Sequence, residues 1–82
     1  MTQHDRVVAH IESRSWFTYD GISAGVLSFS TREHGNVGDE EPGEEDIRKA
    51  HQVAGEIRER FPVRNIEISS VDEWTYIQFE MI

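Results

Sequence analysis

Residues 44–69 read EEDIRKAHQVAGEIRERFPVRNIEIS, and a change of period inside that stretch decides the fold. As far as Phe61, apolar residues recur three and four apart: Ile47, Ala50, Ala54, Ile57 and Phe61, with Val53 widening the stripe. That spacing predicts an amphipathic helix from about Glu44 to Arg60. Glu44, Glu45 and Asp46 suit the positive end of its dipole, Arg58 and Arg60 the negative end. Pro62, which has no N–H to donate, stops it. Glu44–Arg48, Glu45–Lys49 and Glu56–Arg60 have the i,i+4 spacing of solvent-face ion pairs. Gly55 lies off the stripe, where alanine would be more stable by about 1 kcal/mol. It marks either the close approach of a partner backbone or nothing functional.

After Pro62 the period falls to two, with Ile66 and Ile68 on one face and Asn65, Glu67 and Ser69 on the other. Farther on, Thr75, Ile77, Phe79 and Met81 share a face, and Trp74, Tyr76, Gln78 and Glu80 share its reverse. With a turn at Ser70–Glu73, residues Arg64–Ile82 read as a β-hairpin. Upstream, Ile22, Ala24, Val26, Leu27 and Phe29 mark another strand, and the turn-forming dipeptide Asp20-Gly21 suggests a hairpin with the β-prone stretch Trp16–Tyr19. The first fifteen residues allow two readings. Val7, Ala9 and Ile11 alternate as in a strand, whereas Val7, Val8 and Ile11, behind a Thr2-x-x-Asp5 capping box, suit a short helix. The strand is the reading favoured here, since it would extend the sheet as a simple meander.

The order β-β-α-β-β predicts one small α+β domain over residues 1–82. An antiparallel sheet of about four strands carries one main helix on one face, with an acidic, glycine-rich loop at 31–43.

Composition narrows the function. The chain has 82 residues, sixteen acidic against eight basic side chains, a formal charge of −8 and no cysteine. A disulfide scaffold, a thiol nucleophile and thiolate metal sites are thereby excluded. The negative charge disfavours direct contact with a nucleic-acid backbone or an anionic membrane. No apolar run is long enough for a membrane span, so the expected location is the cytoplasm. The charge is concentrated: residues 31–46 hold Arg32 against Glu33, Asp39, Glu40, Glu41, Glu44, Glu45 and Asp46, a net of −6, whereas residues 47–64 carry +3.

Short motifs add little chemistry. Gly21-Ile22-Ser23-Ala24-Gly25 has the spacing of a nucleophile elbow, but strand-like residues follow it where a hydrolase places a helix. The acidic run lacks the register of a calcium loop. His4, His10, His34 and His51 lack zinc-helix spacing. No catalytic residue, metal or cofactor is therefore expected, although His34 with its acidic neighbours leaves a small metal- or ligand-binding domain as one alternative.

Two features remain to carry function. The carboxylates Asp39, Glu40, Glu41, Glu44 and Glu45 are either a solvated run that begins a helix or a face aimed at a basic partner. Trp74 and Tyr76, flanked by Glu67 and Glu80, point away from the main helix; they either pack across strands on Trp16 or Tyr19 or anchor an interface. In size, lack of cysteine and acidic clustering, the chain resembles two groups of small inhibitors, phage-encoded anti-CRISPR proteins and the acidic immunity proteins of nuclease toxins. That resemblance is one of composition. It implies a non-enzymatic inhibitor that occupies the basic groove of a nucleic-acid-binding effector, in the host cytoplasm if phage-encoded. The alternative is an assembly subunit, such as a homodimer that hides the Trp74/Tyr76 face.

Overall fold

The computed structural model describes residues 2–31, 44–71 and 74–82. Its elements are α1 (Gln3–Arg14), β1 (Thr18–Ser23), β2 (Val26–Ser30), α2 (Glu44–Arg60), β3 (Val63–Val71) and β4 (Trp74–Met81). The four strands form one antiparallel sheet in the order β1-β2-β4-β3, so β2 and β4 are central. The α+β class, the four strands and the main helix at 44–60 all stand as expected.

The N-terminal segment takes the helical of its two readings. Thr2 Oγ1 accepts a hydrogen bond from the Asp5 amide at 3.1 Å, capping α1. Hydrogen bonds from the Thr2 side chain and then its backbone hold the Asp5 carboxyl below the ordinary carboxylate value. Helical geometry buries Val7 and Ile11 together and leaves Ala9 exposed, whereas a strand would have put all three on one face.

Both helices cover the same side of the sheet. Val7 and Ile11 from α1, Ala50, Val53 and Ile57 from α2, and Phe17 meet Leu27, Phe29, Ile77 and Phe79 in one buried cluster. Phe29 and Phe79, on adjacent central strands, stack with ring centroids 5.7 Å apart. The expected stripe of α2 is buried at Ala50, Val53, Ala54 and Ile57, but Ile47 is 37% exposed and lies outside the core. Gly55 approaches no backbone: a Cβ there would meet nothing within 4 Å. Gly55→Ala is therefore expected to stabilise the protein by about 0.5–1 kcal/mol, read as a higher urea midpoint at constant slope. A fall in the midpoint would mean that the site is more crowded than its geometry implies.

The first hairpin turns four residues later than its dipeptides suggest. Asp20-Gly21 forms a β-bulge, with Gly21 at φ 130°, and the strands reverse at Ala24-Gly25, both at positive φ. Two-residue hairpin loops need that conformation, which Gly25 adopts freely and Ala24 only with strain. The supposed nucleophile elbow is thus this hairpin: Ser23 ends β1 and is exposed. A second bulge lies between Arg64 and Glu67 in β3, with Asn65 at φ 54° and its amide nitrogen donating to Glu80 Oε2.

Thr75 stands out in the core. It is fully buried and bonded through its backbone to Thr31, but its Oγ1 has no partner among the described residues. A buried hydroxyl without a partner costs about 1–3 kcal/mol. Thr75→Val keeps the shape and removes the polar atom, so a gain of about 1 kcal/mol is expected in denaturant unfolding. A loss of similar size would show that the hydroxyl is satisfied in solution.

Candidate interaction surface

The pleat of β4 sorts its side chains as the alternation required. Thr75, Ile77 and Phe79 are buried toward the helices, while Trp74, Tyr76, Gln78 and Glu80 are part-exposed on the reverse. Register adds neighbours on that reverse face. Tyr76 lies between Ser30 and Ser69, Gln78 between Ser28 and Glu67, Glu80 between Val26 and Arg64, and Trp74 opposite Val71. Trp74, Tyr76, Glu67 and Glu80 therefore do share one surface, and among the described residues no helix packs over it. The cover is not uniform, because Ser30, beside Tyr76, is fully buried.

Tyr19 is not the cross-strand partner that the alternative reading offered. Tyr19 faces the helix side, tilted against Phe29 with ring centroids 5.2 Å apart, and its hydroxyl lies 2.9 Å from His4 Nε2. Trp16 Nε1 donates to Asp46 Oδ1 at 2.8 Å, and Lys49 Nζ stands 5.5 Å from its ring centroid. Asp46 thus has a structural task, fixing the start of α2 to the segment after α1.

The face also carries a hollow of about 450 Å³ beside the β1 bulge, lined by Asp20, Gly21, Ile22, Val26, Ser28 and Gln78. Ile22 at its rim is 56% exposed. The bulge bends β1, which gives an otherwise smooth sheet surface a concave region.

The remaining acidic candidates lie in the other layer. Glu44 and Glu45 are exposed in the first turn of α2. Only Phe61 and Pro62 separate α2 from β3, and the Ile82 amide donates to the Pro62 carbonyl, so α2 runs in the same direction as β4. Glu44 and Glu45 consequently stand toward the end of the molecule where Trp74 starts β4, but on the helix side. Ile47 and Val71, the latter 53% exposed, add apolar surface toward that same end. Sequence periodicity hid both, because each falls where a core position was expected or at a turn. Asp39, Glu40, Glu41 and His34 lie outside the described residues.

None of the three expected i,i+4 pairs of α2 closes as an ion pair among the described residues. Glu56 is taken instead by His10 of α1, whose Nε2 donates to its Oε1 at 3.0 Å. That bond is the main reason the Glu56 carboxyl lies below its ordinary value. Among the described residues no cluster of three His, Asp or Glu side chains is placed to hold a metal ion, and no helix is long and apolar enough to cross a membrane. No family model, curated protein or solved structure matches this chain.

Proposed function

We propose that this chain is a small, non-enzymatic interaction protein that binds the basic, nucleic-acid-binding surface of a partner protein and blocks it. It would act as an inhibitor of the anti-CRISPR or nuclease-immunity kind, in the cytoplasm. The observation that carries the reading is a sheet face left uncovered by both helices, with Trp74 and Tyr76 among Glu67 and Glu80. Aromatic side chains on a rigid strand provide buried contact area at low entropic cost, which charge alone cannot supply. The acidic stretch 39–45 would steer the encounter and release the counterions of a cationic groove.

Reversing Asp39, Glu40 and Glu41 to lysine is expected to lower the association rate with such a partner by about tenfold or more at low salt, with little change in dissociation. An unchanged rate would remove the acidic stretch from the contact. A second reading, self-association through the same face, is favoured by the exposure of Val71 opposite Trp74. Sedimentation separates the two, since a dilute monomer rules out a stable homodimer.

A further inference from the structure

The helix side of the molecule holds a second groove, with charge opposite to that of the chain as a whole. It measures about 480 Å³ and is lined by Arg6, Ala9, His10 and Ser13 of α1, together with Arg60 and Phe61 at the end of α2. Positions 6, 9, 10 and 13 recur at helical spacing, so α1 presents them as one stripe. Among the described residues, no carboxylate lines the groove.

The route by which Arg60 lost its partner is visible. Glu56, one turn before it, has the spacing for an ion pair with it. His10 claims that carboxylate instead, and the imidazole is only 10% exposed at the side chain, wedged edge-on against Phe61 with centroids 5.8 Å apart. Arg6 likewise has no carboxylate within ion-pair distance among the described residues. In a chain with twice as many acids as bases, two arginines thus line one hollow together with an aromatic residue. Guanidinium forks match phosphate and carboxylate oxygens in geometry as well as charge. Phe61 and Ala9 supply apolar surface for whatever carries the anion, and the volume falls within the range of small-molecule sites.

We propose that this groove binds a small organic anion, a phosphate or carboxylate attached to a planar apolar body. Arg6 and Arg60 take the anionic group and Phe61 takes the body. The site lies on the opposite side of the sheet from Trp74 and Tyr76 and does not depend on the interaction surface.

The test is a titration of the isotope-labelled full chain, followed by amide chemical shifts, with phenyl phosphate and with inorganic phosphate as separate probes. Phenyl phosphate is expected to shift Ala9, His10, Ser13 and Phe61 selectively and to bind at about 1 mM or tighter. It should bind about threefold or more tightly than inorganic phosphate if the ring packs on Phe61. The variant Arg6→Gln/Arg60→Gln should lose about tenfold or more in affinity. Its melting temperature should not change, because neither side chain is paired among the described residues. Shifts that are absent up to about 20 mM, or scattered over the surface, or unaltered in that variant, would overturn the site. Equal affinity for the two probes would overturn the role of Phe61.

Discussion

Phe29→Ala is expected to remove about half of the protein's stability. Phe29 is fully buried on a central strand, stacks on Phe79, and receives the Tyr19 ring on its other flank. Truncating a buried phenylalanine costs about 3–5 kcal/mol through lost transfer energy and the cavity left behind. A domain of this size has only about 4–12 kcal/mol in total, at the usual 0.05–0.15 kcal/mol per residue. The urea midpoint should therefore fall by about half or more, whereas Phe29→Leu, which keeps much of the volume, should cost about 1.5 kcal/mol or less. A loss for Phe29→Ala below about 1.5 kcal/mol would mean that the helices are not centred on this pair.

The second large effect concerns function. Replacing Trp74 and Tyr76 together by alanine should weaken partner binding by about a hundredfold or more, since aromatic anchors at the centre of an interface often carry about 2 kcal/mol each. The fold should survive, because both side chains are on the face opposite the buried cluster. Binding that stays within about threefold of the unaltered protein, with the fold intact, would remove the sheet face from the contact.

The readable parts of this molecule are those set by local periodicity. The stripe of α2, the stop at Pro62 and the alternation of β4 are all written in residues close in sequence, and each appears in the structure. The alternation of β4 puts Trp74, Tyr76 and Glu80 on one face, and that of β3 adds Glu67. What local patterns left open was settled by long-range contacts or by turn geometry. Val7 and Ile11 fit a strand or a helix equally well, and the choice rests on the Thr2 cap and on burial against α2. The turn lies at Ala24-Gly25, where both residues take the positive φ of a type I′ loop, while Gly21 serves a bulge. Glu56 met His10, 46 positions away, and this left Arg60 for the basic groove. No i,i+4 rule contains that information. Glu44 and Glu45 belong to the layer opposite Trp74, so any single partner touching both must wrap one end of the molecule.

The proposed docking joins the carboxylates and the aromatic sheet face to a positively charged protein. The most direct measurement is capture from a bacterial lysate on the immobilised full chain, run beside a variant in which Asp39, Glu40, Glu41, Glu44 and Glu45 become their amides. The unaltered chain is expected to retain a basic, nucleic-acid-binding protein that high salt or added DNA releases, and the amide variant to lose it. Equal retention by both chains, or a retained protein that neither salt nor DNA displaces, would contradict it.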